Sequence, residues 1–350
     1  MANLLVTGGA GFIGGNFVHY WNAQSPDDTV VVLDALTYAG NRSTLEGARA
    51  ELVEGDIRDT ALVEGLLRDR AIDTIVHFAA ESHVDRSITG PDAFIDTNIL
   101  GTNSLLKAAR AVWLAGSGQP HRFHHISTDE VFGSLAPTDP AFSETTPYAP
   151  NSPYSASKAA SDHLVRAYHH TYGLEVTTSN CSNNYGPYQY PEKLIPLFLL
   201  NALHGRNLPI YGDGMNVRDW LHVEDHCRGI AACLAQGKPG DTYNIGGGAE
   251  LPNLEVIAAI CREVDRAFAE IDGLGARYPD APAANGQPTE TLKTFVTDRA
   301  GHDRRYAIDE TKARAELGYT PAHGFDEGLR QTLRWYLANE HWWQPLLARH

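Results

Sequence analysis

The sequence predicts an α/β fold in which helices cover both faces of a doubly wound parallel sheet, joined to a smaller C-terminal α/β domain. Two observations predict it. A glycine-rich turn follows the first apolar segment, and short apolar segments then alternate with helical patterns through the first half of the chain. Short apolar strands that alternate with helices are typical of parallel sheets buried on both faces. With 350 residues, the chain is long enough to bury such a sheet and a second domain.

The first element is an apolar strand at residues 4–6, followed by Gly8, Gly11 and Gly14 and then by a helical pattern. Backbone N–H groups at a helix start after a glycine turn can receive a pyrophosphate. We therefore predict a dinucleotide-binding turn. The alternative, a tight turn without a ligand, is made weaker by the strand that follows.

That second strand, TVVVLD, ends at Asp34, which lies twenty residues after Gly14 (34 minus 14). An acid at this position can hydrogen-bond the adenosine ribose hydroxyls and repel a 2′-phosphate. The predicted cofactor is therefore NAD rather than NADP.

Two further strands, ELVEGDI and TIVHFAA, alternate with helical segments at residues 61–70 and 92–111, and a fifth strand covers residues 122–127. Ligands of such sheets bind outside the carboxyl ends of the strands. The residues predicted at those ends are Asp56, Ile57, Phe78, Ala79, Ala80, Thr128, Asp129 and Glu130.

Asp129 and Glu130 stand side by side in the segment HHISTDEVFG. Adjacent like charges beside apolar residues raise both pKa values. Two neighbouring carboxyl groups at a strand end can serve one reaction as a base and an acid. The alternative is that STDE only caps a turn, with Ser127 or Thr128 leading.

Tyr154 and Lys158, in the segment YSASK, are four residues apart and share one face of a predicted helix at residues 154–172. A lysine ammonium near a phenol favours the phenolate, so we expect Lys158 to lower the pKa of Tyr154. A phenolate is a usable general base for a sugar hydroxyl.

Composition and charge exclude several classes of function. The net charge of −15 repels polyanions, so nucleic acid is not an expected partner. Apolar residues make up 43% of the chain, but no segment approaches the roughly 20 apolar residues of a membrane span, so we expect a soluble, cytoplasmic protein. The four cysteines are far apart and predict buried thiols, and no spacing of His, Cys and Asp suggests a metal.

Eight ordered motifs extend over nearly the whole chain. They are TGGAGFIG, LTYAGN, AAESHVDRSI, ISTDEV, YSASK, NCSNNYGPYQYPEKLIP, RDWLHVEDH and DRAGHDRRYAID. In this set the sequence resembles the extended short-chain dehydrogenases/reductases of the NAD-dependent epimerase/dehydratase family, and among them the dTDP-glucose 4,6-dehydratases. The resemblance implies a Rossmann-type NAD-binding domain, a hydro-lyase activity on dTDP-glucose in deoxysugar (rhamnose) biosynthesis, and a homodimer.

The resemblance also implies roles for individual residues. Tyr154, Lys158 and Thr128 would act at C4 of the hexose, Glu130 as the base at C5, and Asp129 as the acid at C6. Further implied NAD contacts are Phe12, Ile13, Ala35, Leu36, Thr37, Glu81, Ser82, Thr97 and Asn184. Implied substrate contacts are Ser82, Thr128, Asn183, Lys193, Leu194, Pro209, Ile210, Tyr211, Arg218, Asn253, Asp298 and His302.

Without the resemblance, the polar loop around Asn183 and Asn184 could equally be an ordinary turn without a ligand. Arg218 and the adjacent Asp219 could likewise be a solvated ion pair. His124 and His125 are expected to be packing residues within a strand.

For domain organisation we predict a NAD-binding domain at residues 1–180, completed by a return at about 217–250. A nucleotide-sugar domain comprises residues 181–216 and 251–350. The apolar spacing of Phe325, Leu329, Leu333, Tyr336 and Leu337 predicts an amphipathic closing helix. Segments 114–121 and 271–291 are predicted to be Gly/Pro-rich loops.

Three other functions remain open at this point. An epimerase or decarboxylase acting on a nucleotide sugar would share the NAD turn and the Tyr154/Lys158 pair, but has no use for two consecutive acids. A UDP-glucose 4,6-dehydratase would act on a nucleotide whose base lacks one methyl group, a difference that a pocket discriminates by about 1–3 kcal/mol. A regulator that binds NAD without catalysis would not need the tyrosine and the lysine.

Overall fold

The computed structural model describes residues 1–298 and 303–347. Strands in this part of the chain are β1 (Asn3–Thr7), β2 (Thr29–Asp34), β3 (Glu51–Glu54), β4 (Thr74–His77), β5 (Arg122–Thr128), β6 (Val176–Cys181), β7 (Asn183–Tyr185), β8 (Leu208–Tyr211), β9 (Val217–His222), β10 (Thr242–Ile245), β11 (Glu250–Pro252) and β12 (Lys293–Val296).

The α-helices are α1 (Phe12–Gln24), α2 (Thr60–Asp69), α3 (Val84–Thr89), α4 (Asp92–Phe94), α5 (Thr102–Ala109), α6 (Pro153–Tyr172), α7 (Leu194–Leu203), α8 (Val223–Gln236), α9 (Asn253–Glu270), α10 (Leu274–Arg277), α11 (Thr311–Leu317), α12 (Phe325–Ala338) and α13 (Glu340–Leu347). Short 3-10 turns cover Arg42–Leu45, Asp129–Phe132, Pro282–Asn285 and Thr289–Leu292, and π-helical turns cover Ile95–Gly101 and Arg110–Ser117.

The main sheet, within the described residues, has seven parallel strands in the order β3-β2-β1-β4-β5-β6-β10. The strand order reverses beside β1, since β2 pairs with one of its edges and β4 with the other. Apolar clusters fill both faces of the sheet, one against α2, α5 and α6 and the other against α1 and α8. This is the predicted doubly wound fold, and it directs the carboxyl ends of six consecutive parallel strands toward one crevice.

The segment at 217–250 divides between two sheets. Thr242–Ile245 (β10) joins the main sheet beside β6, as expected for a returning strand. Val217–His222 (β9) does not: it pairs in parallel with β7 and antiparallel with β11 in a separate three-stranded sheet. A separate two-stranded parallel sheet pairs β8 with β12.

The two predicted loops contain more helix than their composition suggests. Residues 114–117 continue the helix that begins before them, as a π-helical turn that ends at Gly118 with φ of 62°. Within 271–291, α10 and two 3-10 turns place Leu274, Tyr278, Ala281 and Thr289 in the interior. The loop prediction was wrong here because glycine and proline mark the ends of these short turns, while the apolar residues between them anchor the segment to the core.

The closing helix is confirmed as α12, which buries Leu329, Leu333, Tyr336 and Leu337 against a large C-terminal apolar cluster. All four cysteines are buried free thiols, as predicted. Across the described ranges, no helix is long and apolar enough to cross a membrane.

Candidate active site

A cavity of about 600 Å³ lies at the carboxyl edge of the main sheet. It brings together every predicted catalytic residue and every predicted NAD contact except Leu36. Its predicted lining residues are Gly8, Gly11, Phe12, Ile13, Gly14, Asp34, Ala35, Thr37, Asp56, Ile57, Phe78, Ala79, Ala80, Glu81, Ser82, Thr97, Thr128, Asp129, Glu130, Tyr154, Lys158, Asn183, Asn184 and Lys193.

The glycine turn needs residues without side chains. Gly8 has a φ of 69°, and a Cβ there would lie 2.6 Å from the backbone nitrogen of Ala79. A Cβ at Gly14 would lie 2.4 Å from the carbonyl oxygen of Gly8. The tight turn therefore leaves the N-terminus of α1 open to the cavity, where its N–H groups favour an anionic ligand.

Asp34 is fixed at the end of β2 by two backbone donors. Ala10 N–H donates to Oδ2 at 2.9 Å and Leu36 N–H to Oδ1 at 2.8 Å. Burial raises the pKa of Asp34, while these two hydrogen bonds lower it. Leu36, with φ of 50°, thus acts through its backbone N–H on Asp34 and does not line the cavity, contrary to the sequence expectation.

Tyr154 and Lys158 are positioned by the start of α6. The Ser152 hydroxyl accepts from Ser155 N–H at 3.0 Å, the Ser155 hydroxyl accepts from Ser152 N–H at 3.0 Å, and Pro153 opens the first turn. This reciprocal cap fixes Tyr154 in the first turn and Lys158 one turn later on the same face. The Lys158 ammonium, which is buried, donates to the Ile126 carbonyl at 2.7 Å.

The expected lowering of the Tyr154 pKa is not what the structure gives. Burial raises the pKa of Tyr154 well above its usual value, and the Glu130 carboxylate raises it further, while a hydrogen bond with Thr128 lowers it. The amine of Lys158 is directed to the Ile126 carbonyl, and burial lowers its own pKa. Desolvation of the phenolate outweighs a single lysine charge.

Asp129 is the most confined acid of the cavity, with 2% of its surface exposed. Burial raises the pKa of its carboxyl well above the usual range, and the charges of Glu130 and Asp219 raise it further. Oδ1 accepts a long hydrogen bond of 3.4 Å from the Thr128 hydroxyl, and Oδ2 has no hydrogen-bond partner among the residues described. Burial therefore favours the protonated form of Asp129, and one of its oxygens is available to a ligand.

The structure separates the turn cap from the paired acids. Thr128 caps the 3-10 turn Asp129–Phe132, because its hydroxyl accepts from Glu130 N–H at 3.3 Å. Ser127, the other proposed cap, instead donates to Asp162 at 2.7 Å. The side chains of Asp129 and Glu130 do not form the cap and line the cavity.

Behind the cavity, a buried network centred on Asp162 supports β5 and α6. His125 lies 3.0 Å from Oδ1, and the hydroxyls of Ser127 and Tyr148 donate to Oδ2 at 2.7 and 3.0 Å. These hydrogen bonds and the nearby ammonium of Lys158 lower the pKa of Asp162, so it remains a carboxylate. His125 is thus a packing and hydrogen-bonding residue, as predicted, and so is His124, which contacts the hydroxyls of Thr177 and Ser179 at 2.8 and 3.1 Å.

A second cavity of about 290 Å³ adjoins the first. Residues shared by the two linings are Ser82, Glu130, Asn183 and Lys193. Predicted substrate residues that line only the second cavity are Leu194, Pro209, Ile210, Tyr211, Arg218 and Asn253. A ligand longer than either cavity can therefore run from one into the other.

Arg218 is the buried cation of the second cavity, with 6% of its surface exposed. Its guanidinium donates to the carbonyls of Val217 and Asp303 at 2.7 and 2.9 Å and stacks 4.2 Å over the ring of Tyr306. Asp219 is equally buried and accepts from Ser182, Gly247 N–H and Ala249 N–H. The two residues are therefore not a solvated pair.

One predicted substrate residue, Asp298, is not brought to either cavity lining. Asp298 lies against Gly212 at the end of β8 and lines neither cavity. His302 falls outside the described residues.

Sequence reasoning missed several residues that line the site. In the first cavity Arg58 lies beside Asp56, donates to its carboxylate at 2.7 Å and lowers its pKa. In the second, Glu192, Trp220 and Tyr306 contribute to the wall. Arg58 carried a signal, because a cation directly follows a predicted strand end; the others are brought in by tertiary packing.

Asn98 is a missed positioning residue. Its amide oxygen accepts from Glu81 N–H at 2.8 Å, and its amide nitrogen donates to the Glu81 carbonyl at 3.0 Å and to the Ser157 hydroxyl at 2.8 Å. It thereby ties the loop after β4 to α6, across the cavity floor.

Comparison with known proteins agrees with this geometry. The family model described as GDP-mannose 4,6 dehydratase matches residues 5–332. A curated dTDP-glucose 4,6-dehydratase from Xanthomonas campestris pv. campestris is 56% identical over 354 aligned positions, which cover 99% of this chain and 96% of the relative.

Two solved structures are similar over the full length. A dTDP-glucose 4,6-dehydratase from Streptomyces venezuelae, crystallised with NAD and dTDP, has 48% identity and a TM-score of 0.87, covering 98% of this chain and 99% of the other. One from Bacillus anthracis in complex with NAD has 44% identity and a TM-score of 0.85, covering 99% of this chain and all (100%) of the other. The chain belongs to the dTDP-glucose 4,6-dehydratase family.

Proposed function

We propose that the protein is an NAD-dependent hydro-lyase that converts dTDP-glucose into dTDP-4-keto-6-deoxyglucose. The observation that carries this proposal is the position of Asp129 and Glu130 in the same cavity as Tyr154 and Lys158. Tyr154 and Lys158 serve the oxidation, and Asp129 and Glu130 serve the elimination as acid and base. A reaction that couples the two steps needs both pairs side by side.

The residues of the first cavity fit NAD. The close glycine turn and the open N-terminus of α1 suit a pyrophosphate, and Asp34, held by Ala10 and Leu36, suits the adenosine ribose. NAD, when bound, accepts hydride from C4 and returns it to C6, so the sugar undergoes no net oxidation.

Tyr154 removes the proton from the C4 hydroxyl as that carbon is oxidised. Thr128, which shares a hydrogen bond with Tyr154, polarises the C4 oxygen as an oxyanion donor does. Lys158 is held by the Ile126 carbonyl, so its charge stays at a fixed place beside the reacting groups. The resulting 4-ketone makes the proton at C5 acidic.

Loss of water then uses both carboxyl groups. Glu130 takes the C5 proton, and Asp129, whose protonated form is favoured by burial, gives its proton to the departing C6 hydroxyl, so the C6–O bond breaks and water leaves. C6 is then reduced and C5 is protonated again, which completes the 4-keto-6-deoxy sugar.

The nucleotide end of the substrate suits the second cavity. Arg218 presents a rigid guanidinium in a wall that also contains the apolar residues Leu194, Pro209 and Ile210. Such a fork matches a diphosphate, and the apolar wall suits a base. Asn183 and Lys193, which line both cavities, would meet the groups that join the two ends. Thymine is proposed as the base on the strength of the relatives named above.

A direct test is incubation of the purified protein with dTDP-glucose or with UDP-glucose, followed by detection of a 4-keto product and of net NADH release. The proposal expects the keto product, a preference for the thymine nucleotide, and no stoichiometric NADH. An interconversion of glucose and galactose nucleotides without a 6-deoxy product would overturn it in favour of an epimerase.

The assembly and location belong to the same proposal. We assign a homodimer formed through α5, α6 and the adjoining π-helical turns, since Ile95, Leu100 and Tyr172 are exposed apolar residues on or beside these elements. A monomer by sedimentation at micromolar concentration would contradict this. The NAD domain is assigned to residues 1–180 and about 217–250 and the nucleotide-sugar domain to the remainder, in a cytoplasmic enzyme whose buried thiols suit a reducing compartment.

A further inference from the structure

Three potential metal ligands meet at a place away from both cavities. His222 is the last residue of β9, Glu224 lies in the first turn of α8, and His323 precedes α12. One ligand atom from each lies within 4.8 Å of the others. None of the three lines either cavity.

His222 is the unusual member of this group. Only 4% of its surface is exposed, and neither of its ring nitrogens has a hydrogen-bond partner within residues 1–298 and 303–347. A buried polar group without a hydrogen-bond partner destabilises the fold, and a bound ligand would satisfy it. Burial also favours the neutral imidazole, which is the form that binds metals. Its ring centre lies 4.2 Å from that of His323.

His323 is oriented by Asp225. The Nδ1 atom lies 3.1 Å from Asp225 Oδ2, which also accepts the backbone N–H of His323 at 2.9 Å. Oδ1 of the same carboxylate accepts from Arg228 and from Ala322 N–H. When Nδ1–H donates to this fixed carboxylate, Nε2 carries the lone pair, and it lies 4.0 Å from Glu224 Oε2. A carboxylate behind a histidine is the usual outer support of a metal ligand.

We propose that His222, Glu224 and His323 bind a zinc ion, with Asp225 as the supporting carboxylate. Two imidazoles and one carboxylate are a zinc ligand set, and a water completes the tetrahedron. Tetrahedral coordination needs ligand atoms about 3.4 Å apart. The Glu224 side chain is 55% exposed, so it can move until its carboxylate oxygen reaches this distance from the histidine nitrogens.

Such an ion would have a structural role. It would join the end of β9 and the start of α8 to the segment that enters α12. β9 is paired with β7, which carries Asn183 and Asn184 of the cavity lining. Zinc at this place would therefore stabilise the fold without contact with substrate or NAD.

The test uses the full chain without a histidine tag, treated with a chelator and then titrated with ZnCl2. We expect one equivalent to bind per chain and to raise Tm by about 3 °C or more at saturation. CoCl2 should give the intense visible absorption of tetrahedral cobalt, which reports the geometry directly.

Substitutions separate this site from binding elsewhere on the surface. Glu224→Gln and His323→Gln should each weaken zinc binding at least tenfold and abolish the rise in Tm. The matched controls are Glu255→Gln, an exposed acid in the first turn of α9, and His341→Gln, an exposed histidine of α13; both should bind like the parent. Failure of the parent to bind one equivalent, or equal affinity in all five proteins, would overturn the site and leave His222 and His323 as a packed aromatic pair.

Discussion

The two adjoining cavities differ in how their charged groups are satisfied. In the first, Asp129 is buried with one oxygen unpartnered among the described residues, and burial holds the pKa of Tyr154 high. In the second, Arg218 gives its protons to two carbonyls and stacks on Tyr306, and Asp219 beside it accepts three hydrogen bonds. Asp129 and Tyr154 of the first, reacting cavity are thus under electrostatic strain, whereas Arg218 of the second, recognition cavity and the neighbouring Asp219 are paired.

This difference predicts different consequences of mutation. Changes in the first cavity should lower kcat and leave the fold as stable or more stable, because they relieve strain. Changes in the second should raise KM, because they remove binding that ground state and transition state share.

The largest expected effect is that of Tyr154→Phe. Without the phenol, the C4 hydroxyl cannot be deprotonated, and turnover should fall by about 10⁴-fold. Neither absorbance of reduced cofactor nor exchange of the C5 hydrogen with deuterated solvent should be seen. Tyr168→Phe on the same helix, whose hydroxyl contacts Asn103 at 3.3 Å, serves as the control. Normal C5 exchange in Tyr154→Phe would assign the first base elsewhere.

Asp129→Asn should lower turnover by about 10²–10³-fold, because the C6 hydroxyl must then leave without an acid. Since Tyr154 and Lys158 are unchanged, absorbance of reduced cofactor should build up on the enzyme while product fails to form. Glu130→Gln should also permit oxidation at C4 but lose C5 exchange. Asp139→Asn, an exposed acid of the loop after the 3-10 turn, is the control. If both acid variants dehydrate at the parent rate, the pair has no chemical role.

Arg218→Lys tests the recognition cavity. A lysine keeps the charge but loses the planar fork and the stacking on Tyr306, so KM should rise by about tenfold while kcat changes less than twofold. Steady-state kinetics measures both values, with the exposed Arg262→Lys as control. An equal fall in kcat and kcat/KM would place Arg218 with the reacting groups and remove the contrast between the cavities.

The smallest effect concerns stability and its dependence on pH. The folded pKa of Asp129 is raised above its usual value near 3.8, so the native state holds its proton longer than the unfolded state. Stability from this group is complete below about pH 3.8 and is lost as pH rises through the folded pKa, by about 1.4 kcal/mol for every pH unit that separates the folded pKa from the unfolded one. Asp129→Asn removes the group that causes this loss of stability. The Tm of the variant should therefore exceed that of the parent by more at pH 8 than at pH 5.

Thermal unfolding at the two pH values measures that difference. A variant less stable than the parent at pH 8 would mean that the carboxylate is stabilised by contacts that outweigh its burial. Asp139→Asn, at an exposed position, should show no such dependence on pH.

The sequence by itself determined the sheet, the cofactor turn and the reacting groups. Each of these depends on residues close together in the chain: Gly8 to Gly14 on one turn, Asp129 beside Glu130, and Tyr154 one helical turn before Lys158. Local spacing fixes which of these side chains share a face, and the rule that ligands bind at strand carboxyl ends places them in one crevice.

Tertiary structure decided the rest, because charge state and pairing depend on what packs around a residue. Spacing predicted that Lys158 would lower the pKa of Tyr154, but burial raises it, and only the fold shows how deeply the phenol lies. The pairing of β9 outside the main sheet and the support that Asn98 gives to Glu81 likewise join distant segments. The meeting of His222 and His323, 101 residues apart (323 minus 222), could not be read from spacing, because no local pattern relates the end of a strand to a distant loop that tertiary packing brings beside it.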